Sequence, residues 1–243
     1  MVKKDSYVVA EILSNDRVGD NVYKLVLKGD FQGQPGQFYM LKSWDLHPLL
    51  SRPFSICDIT ADTISFLYLV VGSGTELLKD LHSGDSISLL GPLGNGFKLG
   101  NFKKIAIVSG GIGIAPMLYL AKRLNCKIDL YAGFRDYDYF INEISPYVDN
   151  IYLSSDTGAV GSHGNVIEIF NDEYDQVFAC GPNPMLNALK EKGSQDKIQI
   201  SLESHMACGI GACLGCTVNT KEGMKRVCVD GPVFVSSEVL FDA

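Results

Sequence analysis

Four cysteines near the end of the chain have a spacing that is typical of an iron–sulfur site. They form a C-x4-C-x2-C-x11-C pattern made of Cys208, Cys213, Cys216 and Cys228. The first three spacings are those of a plant-type [2Fe–2S] cluster, which four thiolates hold. Gly209, Gly211 and Gly215 allow the loop to fold tightly, so that backbone amides can donate to the cluster sulfurs. We therefore predict a [2Fe–2S] cluster on these four cysteines.

Two other uses of these thiols remain open from the sequence. Structural zinc sites usually show two short C-x2-C pairs, and the x4 spacing with its glycines fits that pattern less well. Plain buried thiols are the second alternative, although such dense clustering is unusual for them. The other cysteines, Cys57, Cys126 and Cys180, are scattered, and the odd total of seven argues against a secreted disulfide framework.

A second group of residues is suited to a flavin. An arginine and a hydroxyl lie three residues apart in Ser51-Arg52-Pro53-Phe54-Ser55-Ile56. On an extended segment Arg52 can pair with a flavin phosphate, while Ser55 can bond the flavin ring or its ribityl chain. The alternative is an ordinary surface arginine beside a buried strand. Gly72-Ser73-Gly74-Thr75 favours the flavin, because it opens a predicted helix whose N-terminal amides attract phosphate.

A glycine-rich turn follows a buried strand in the middle of the chain. Gly110-Gly111-Ile112-Gly113 departs from the G-x-G-x-x-G fingerprint, since Pro116 stands where the third glycine would be. The turn can still bring a pyrophosphate to a helix N-terminus, although such turns are also common for structural reasons. Cys180-Gly181-Pro182 follows a later strand, and ligands bind beyond the carboxyl ends of parallel strands. We expect a nicotinamide nucleotide at that edge, with a buried core thiol as the alternative role of Cys180.

Short strands separated by turns fill the first part of the chain. Runs rich in Val, Leu, Tyr and Phe are broken by turn residues such as Pro35-Gly36 and Ser83-Gly84-Asp85. Many short strands with one helix favour a small closed barrel over a parallel sheet. The predicted strands are Tyr7–Leu13, Asn21–Leu27, Gly36–Leu41, Ile64–Val71 and Ser86–Leu90, and the predicted helix is Thr75–Leu81.

Strands alternate with helices from Lys103 onward, which indicates a parallel α/β sheet. The last segment, from Ser201, is dense in glycine and cysteine, and a final strand is predicted at Arg226–Val229. The predicted fold class is therefore α+β with several domains: an antiparallel FAD-binding β-barrel (1–98), a parallel-sheet NAD-binding α/β domain (99–200) and a small [2Fe–2S] domain (201–243). The predicted strands of the sheet are Ile105–Val108, Ile128–Gly133, Ile151–Ser154 and Gln176–Ala179, with helices at Ala115–Arg123 and Pro184–Lys192.

The composition of the 243 residues is that of a folded globular protein, with 46% hydrophobic and 20% charged residues. The net charge of −7 argues against general nucleic-acid binding, which needs a basic surface. The charged start Met1-Val2-Lys3-Lys4-Asp5 predicts no secretory signal, and glycines interrupt the longest uncharged stretch, from Ile105 to Ala121. We therefore expect a cytoplasmic protein without a membrane span.

The motifs together make the chain similar to the ferredoxin–NADP reductase superfamily over residues 1–200. More closely, and over essentially its full length, the chain resembles the family of electron-transfer subunits of NAD-linked dihydroorotate dehydrogenases. The order and joint presence of the motifs make the match specific. The residues that carry it are Arg52-Pro53-Phe54-Ser55, Gly74-Thr75, Gly91–Phe97, Gly110–Pro116, Cys180–Met185, Glu203–Cys213 and Val227–Phe234.

The resemblance implies where the cofactors lie. The cluster would sit on the four cysteines, and FAD would bind along Arg52, Pro53, Phe54, Ser55, Leu67, Tyr68, Leu69, Gly74 and Thr75. One departure from the family is Leu69, where relatives often carry arginine, so that a flavin phosphate or ribityl contact would be made differently here. The residues expected at the NAD site are Gly110, Gly111, Gly113, Cys180, Gly181 and Pro182.

The resemblance also implies a partner, which is a separate FMN-containing catalytic subunit in a two-plus-two heterotetramer. That complex oxidises dihydroorotate to orotate in pyrimidine biosynthesis and passes electrons through FMN, the cluster and FAD to NAD⁺. FAD must stand between the cluster and NAD because it exchanges both hydride pairs and single electrons. No side chain of this chain is expected to act as an acid or base.

Three other functions remain open. The first is a small reductase subunit of another complex, such as a bifurcating transhydrogenase, in which the cluster motif usually includes an Asp ligand. The second is a self-sufficient NAD(P)H reductase that feeds a diffusible acceptor. The third is a non-catalytic metal-binding module. The choice between NAD and NADP also stays open, since Arg135 could meet a 2′-phosphate or do nothing of the kind.

Overall fold

A closed six-stranded antiparallel barrel forms the first half of the molecule, which is a computed structural model that describes residues 6–241. The strands follow each other around the barrel in the order β1-β2-β5-β4-β3-β6, so that β6 closes back onto β1. This confirms the predicted barrel. The strands are β1 (Ser6–Gly19), β2 (Val22–Lys28), β3 (Phe38–Lys42), β4 (Arg52–Ile59), β5 (Thr63–Leu69) and β6 (Ser86–Leu93), and helix α1 (Ser73–Lys79) joins β5 to β6.

Alternation along the strands builds the interior of the barrel, since successive side chains in a strand point to opposite faces. In β6 every second residue is buried, and Ile87 and Leu89 are almost completely covered. The motif Arg52–Ser55 begins β4, a strand that pairs with both β3 and β5. The predicted flavin segment itself pairs with β3, and the later residues of β4, from Ile56 to Ile59, pair with β5.

A seven-stranded sheet forms the second half, and six of its strands are parallel. The strands lie in the order β10-β9-β8-β7-β11-β12-β15, in which β15 (Val233–Val235) is the antiparallel edge strand, so the chain reverses its direction of winding between β7 and β11. Ligands of open α/β sheets bind beyond the carboxyl ends of the strands at such a switch point. The six parallel strands are β7 (Lys104–Gly110), β8 (Lys127–Phe134), β9 (Asn150–Ser155), β10 (Ser162–His163), β11 (Gln176–Cys180) and β12 (Ile198–Ser201).

Four helices accompany this sheet, and the turn before the first of them is longer than predicted. A 3₁₀ turn at Gly111–Ile114 separates β7 from its helix, which begins at Met117 rather than Ala115. Within residues 6–241 no helix is both long enough and apolar enough to cross a membrane. The helices are α2 (Met117–Arg123), α3 (Ile141–Ile144), α4 (Val166–Ile169) and α5 (Asn183–Lys192).

The C-terminal segment returns to both halves of the molecule. It forms the hairpin β13 (Thr217–Thr220) and β14 (Gly223–Arg226), and then β15 (Val233–Val235) pairs antiparallel with β12 at the edge of the large sheet. The prediction of a separate strand at Arg226–Val229 was wrong, because β14 ends at Arg226. The N–H groups of Val229 and Asp230 both donate to the carbonyl of Arg226, at 3.2 and 2.8 Å, which turns the chain at this point.

Candidate cofactor sites at the junction of barrel and sheet

A cleft of about 340 Å³ opens between the barrel and the carboxyl edge of the sheet. One wall comes from the starts and ends of barrel strands, and the opposite wall comes from the 3₁₀ turn after β7 and the ends of β11 and β12. The predicted flavin segment and Cys180 therefore face the same space. The barrel wall is lined by Arg52, Pro53, Phe54, Ser55, Leu67, Tyr68, Leu69 and Thr75, and the sheet wall by Ile112, Ala115, Pro116, Cys180 and Ser201.

Arg52 is half-buried at the rim of this cleft, and among the described residues most of its N–H groups have no hydrogen-bond acceptor. Its Nη1 donates to the carbonyl of Leu50 at 2.5 Å. Within residues 6–241 the guanidinium makes no other hydrogen bond to protein and no ion pair. A guanidinium carries five N–H donors in a fork that matches phosphate oxygens. Arg52 thus fits an anionic ligand of the cleft.

The start of α1 supplies further donors beside Arg52. The first intrahelical bond of α1 runs from Glu76 N–H to Gly72 C=O at 2.9 Å, so the N–H groups of Ser73, Gly74 and Thr75 have no partner within the helix. The Thr75 hydroxyl is already used, because it accepts from the backbone N–H of Val71 at 2.9 Å and of Gly72 at 3.1 Å. Thr75 therefore shapes the turn, while the free amides and Arg52 suit a phosphate.

The inner wall of the cleft is mostly apolar. Tyr68 is fully buried and donates its hydroxyl to Asn15 Oδ1 at 3.0 Å, and burial raises the pKa of Tyr68. Leu67 and Leu69 belong to β5, and both line the cleft with aliphatic side chains. Such a surface suits a planar ring system better than a charged group.

The three glycines of the turn after β7 differ in their surroundings. A Cβ atom at Gly110 would lie 2.7 Å from Met185 Sδ, and one at Gly113 would overlap the backbone of Cys180. Close packing alone therefore requires glycine at these two positions. Gly111 has a φ of 53° and open space beside it, with the Tyr139 hydroxyl 3.8 Å from the position of a Cβ. Gly111 is the glycine of the turn that a ligand can approach.

Cys180 ends β11 at the switch point of the sheet and is 2% exposed. Burial raises the pKa of its thiol, the charge of Glu203 raises it further, and a hydrogen bond with Ser201 opposes the shift. Desolvation also raises the pKa of Glu203, although solvent reaches its side chain through the cleft. Gly181, with φ of 157°, packs against Gly110, and with Pro182 it lines the neighbouring cavity. Glu203 and Ser201 were not among the predicted site residues.

The four predicted cluster cysteines form two pairs. The Cys208 thiol hydrogen-bonds with Cys213, and the Cys228 thiol hydrogen-bonds with Cys216. Each iron of a [2Fe–2S] cluster takes two protein ligands, so two thiol pairs suit a two-iron cluster better than four thiols around one ion. Within residues 6–241 no three His, Cys, Asp or Glu side chains lie close enough to hold a single metal ion.

Backbone amides of the cysteine loop favour thiolates. Desolvation acts to raise the pKa of Cys208, but hydrogen bonds from the N–H groups of Ile210 and Cys213 outweigh it and lower the pKa to about 6. Cys228 is deeper, and desolvation together with the neighbouring Cys216 raises its pKa to about 12. Because metal ligation requires thiolates, the loop amides are the donors that a bound cluster would use.

The cysteine loop is packed on the outside of the barrel. Gly209 has a φ of 70°, and a Cβ there would lie 2.7 Å from Met40 Cγ on β3. Cys216 and Cys228 are buried in the same apolar cluster as Met40 and Leu93. The outer part of the loop is open, with Cys213 exposed. The loop therefore leaves Cys213 open to solvent and buries the pair Cys216 and Cys228 against the barrel and sheet.

A second cavity, of about 920 Å³, joins the cysteine loop to the flavin segment. Arg52 and Pro53 line it from the barrel, and Ala207 and Gly215 line it from the cysteine loop. Arg52, Pro53, Glu203, Ser204 and Met206 line this cavity and the cleft as well. The three groups of predicted site residues therefore meet at one junction of the molecule.

The comparisons with known proteins agree with this geometry. A family described as "Iron-sulfur cluster binding domain of dihydroorotate dehydrogenase B" matches residues 203–240. Among solved structures, an NADH-dependent reduced ferredoxin-NADP oxidoreductase has a TM-score of 0.85 and 28% identity, covering 99% of this chain and 91% of that chain. Phthalate dioxygenase reductase has a TM-score of 0.68 at 16% identity, covering 88% and 87%, and shows a likeness of fold.

Two curated relatives are similar over almost their whole length. The "Dihydroorotate dehydrogenase B (NAD(+)), electron transfer subunit" of Clostridium acetobutylicum is 48% identical, covering 98% of this chain and 99% of the relative. The protein of the same name from Clostridium perfringens is 44% identical, covering 97% and 98%. Similarity of this extent confirms the predicted resemblance: the chain belongs to the family of electron transfer subunits of dihydroorotate dehydrogenase B (NAD(+)).

Proposed function

We propose that the chain carries FAD and one [2Fe–2S] cluster and passes electrons from an FMN-containing catalytic subunit to NAD⁺. FAD is held in the cleft along Arg52–Ser55, Leu67–Leu69 and the Gly74-Thr75 turn. The cluster is held by the four paired cysteines, and the nicotinamide nucleotide lies at the sheet edge between Gly111 and Cys180. The barrel (1–98), the sheet (99–200) and the C-terminal segment (201–243) then serve as the FAD, NAD and cluster domains.

The meeting of the three predicted sites at one junction carries this proposal. Arg52 and Pro53 line a cavity together with Ala207 and Gly215 of the cysteine loop, and they line the adjoining cleft together with Cys180. Electron transfer needs short separations between carriers, and this arrangement brings the residues for each carrier to shared walls. Three binding sites with unrelated functions would have no need of common lining residues.

In this proposal the side chains bind the cofactors and exclude water from them. A bound flavin supplies the exchange between hydride pairs and single electrons. Arg52 and the free amides of α1 neutralise its phosphates, and the apolar wall of Leu67 and Leu69 keeps solvent from one side of the cleft. Burial keeps Cys180 as a neutral thiol, so that this residue can contact a nicotinamide ring without adding charge.

The exposed tip of the cysteine loop supports contact with a catalytic subunit in a two-plus-two assembly. Ile210 and Leu214 flank exposed Cys213, with 52% and 61% of their surfaces accessible. Leu214 also has a φ of 57°, a costly conformation for a leucine that is tolerated chiefly where function demands it. An apolar tip beside two cluster ligands suits a protein partner that delivers electrons there.

The test is NAD⁺-dependent oxidation of dihydroorotate by the anaerobically purified chain, with and without the catalytic subunit from the same host. We expect NADH to form only when both are present, and we expect a sedimentation mass equal to two copies of each. Metal analysis should give two irons and two acid-labile sulfides per chain, with no stoichiometric zinc.

If the chain and the catalytic subunit together form no NADH, the proposed substrate has to be changed. If both proteins contain their cofactors and no NADH forms, the substrate assignment is wrong while the FAD and cluster sites stand. Reduced ferredoxin with NAD(P) would then be tried first, because the oxidoreductase with the TM-score of 0.85 acts in electron bifurcation. Turnover by the chain alone with a diffusible acceptor would point instead to a self-sufficient reductase.

A further inference from the structure

We infer that Trp44 is a positioning residue that holds the Arg52 guanidinium in place for the phosphates of the flavin. The inference rests on the proposed FAD site and concerns how that site is built. Trp44 lies in the loop between β3 and β4, at residues 43–51, and it is the single tryptophan of the chain.

The Arg52 side chain is confined between an aromatic ring and a glycine. Its Cζ lies 5.6 Å from the centre of the Trp44 ring, within the range of a cation–π contact. A Cβ atom at Gly74 would lie 2.8 Å from Arg52 Nε and 3.0 Å from Trp44 Cη2. The glycine of the Gly74-Thr75 turn therefore leaves the space that the arginine and the tryptophan occupy together.

The loop that carries Trp44 is fixed by side-chain donors that bond its own carbonyls. Trp44 Nε1 donates to the Pro48 carbonyl. Lys42 Nζ donates to Asp45 O at 2.7 Å, and Arg52 Nη1 donates to Leu50 O at 2.5 Å. The ring is also half-buried against the barrel core. Trp44 is thus a fixed surface, and a fixed surface can orient a flexible side chain.

The orientation of the Arg52 side chain decides where its unused N–H donors point. Arg52 lines both the cleft and the second cavity, so these donors can reach a ligand bound there. An arginine that is already ordered loses less conformational freedom when it binds a phosphate. The tryptophan ring supplies that order without using any N–H donor. An aliphatic residue at this position would fill part of the space but would not attract the cation.

The experiment compares flavins with and without phosphate. The full-length chain is stripped of flavin with its cluster retained, and titrated with FAD and with riboflavin, which has no phosphate. We expect Trp44→Leu to raise the FAD dissociation constant about tenfold and to leave riboflavin binding within about twofold. Trp44→Phe, which keeps a ring, should recover most of the loss.

A double-mutant cycle separates positioning from direct contact. If Trp44 acts through Arg52, Trp44→Leu should add nothing to the loss of FAD affinity that Arg52→Ala causes. Additive losses, or equal losses for FAD and riboflavin, would overturn the inference. Gly74→Ala provides an independent variant, because its methyl group would displace the guanidinium from the other side and should weaken FAD selectively.

The same titrations distinguish this inference from the proposed function. A wild-type chain that takes up no FAD would refute the FAD site itself. A wild-type chain that binds FAD normally, with a Trp44→Leu variant that binds it equally well, would refute only the role of Trp44. Circular dichroism and the visible absorption of the cluster show whether each variant is folded, and Trp44→Met replaces Trp44→Leu if that variant is not.

Discussion

Gly113 lies so close to Cys180 that a Cβ atom at the glycine would overlap the carbonyl oxygen of the cysteine. The contact joins the 3₁₀ turn after β7 to the end of β11, the two strands between which the winding of the sheet reverses. The position of the Cys180 thiol in the cleft therefore depends on a residue that has no side chain.

Gly113→Ala should move the end of β11. It should lower the free energy of unfolding and slow hydride transfer from NADH to the flavin. The added methyl group meets the backbone carbonyl of Cys180 and lies 2.8 Å from Gly181 N, and backbone cannot swing aside as a flexible side chain can. Overpacking of this kind costs about 1–3 kcal/mol. Urea unfolding measures the loss of stability, and stopped-flow bleaching of the flavin by NADH measures the rate.

Gly72→Ala is the matched control for that variant. Gly72 has an extended backbone with φ of −177°, and nothing lies within 4 Å of the position of its Cβ. Its free energy of unfolding should change by about 1 kcal/mol or less, the typical cost of a weakened helix cap. Equal destabilisation of both variants would show that the contact between Gly113 and Cys180 is not the cause.

Cys180→Ala should slow the reduction of the flavin by NADH about tenfold, because the nicotinamide loses one wall of its site. Burial and the nearby Glu203 both raise the pKa of the Cys180 thiol, so it stays protonated at pH 7–8. The rate should therefore show no ionisation of this thiol in that range. Cys126→Ala, at a half-buried thiol beyond α2, is the control and should keep the wild-type rate. An unchanged rate in Cys180→Ala would remove Cys180 from the nicotinamide site.

Much of this architecture follows from local patterns in the sequence. Short alternating strands predicted the barrel, and strand–helix alternation predicted the parallel sheet, because both patterns record which face of each element is buried. The cysteine spacing likewise indicated a cluster, since its ligands lie close together in the chain. The error at Arg226–Val229 shows the limit of such patterns. The two valines of Val227-Cys228-Val229 favour a strand, but hydrogen bonds to the Arg226 carbonyl turn the chain there.

The missed site residues depend on contacts between distant parts of the chain. Trp44 and Arg52 meet Gly74 where the loop between β3 and β4 packs against the start of α1, and Glu203 reaches the cleft because β12 lies beside β11. No local spacing marks such residues. Glu203 belongs to the motif Glu203–Cys213 that carries the family resemblance, but that motif did not predict that Glu203 lines the same cleft as Cys180.

Asp129→Asn should destabilise the sheet at neutral pH. Asp129 is buried, and it accepts from Asn150 at 2.7 Å, from the Tyr174 hydroxyl at 2.8 Å and from Lys104 Nζ at 2.9 Å. Desolvation opposes its charge, but these donors outweigh desolvation and lower the pKa of Asp129. Hydrogen bonds to a buried charged group contribute about 1.5–3 kcal/mol each, so we expect a loss of about 2 kcal/mol in the free energy of unfolding.

The pH dependence of this variant tests the cause. A carboxylate with a lowered pKa contributes its full stabilisation above its unfolded pKa and loses it as the pH falls through the folded value. The difference between wild type and Asp129→Asn should be full at pH 5–7 and should shrink as the pH falls below about 3.8. A difference that stayed constant down to pH 3 would mean that packing, and not charge, makes Asp129 important.

Asn95→Ala should loosen the loop that carries the fourth cluster cysteine. Asn95 follows the last barrel strand, and its Nδ2 donates to the carbonyls of Val229 and Asp230 at 2.9 and 3.2 Å. Its backbone N–H donates to Gly231 O at 2.6 Å, a bond that the substitution leaves in place. Two lost side-chain bonds at about 1 kcal/mol each would raise the population of open loop about tenfold or more. The cluster should bleach correspondingly faster in the presence of a chelator, while bound FAD is retained.

Asn187→Ala is the control for the loss of an asparagine amide. Its Nδ2 lies 3.5 Å from Glu191 Oε1, a contact within α5 that does not involve the cysteine loop. The cluster of this variant should bleach at the wild-type rate. If Asn95→Ala behaves in the same way, the backbone bond to Gly231 is sufficient to hold the loop. The barrel would then support Cys228 through its apolar contacts at Met40 and Leu93 and not through the Asn95 side chain.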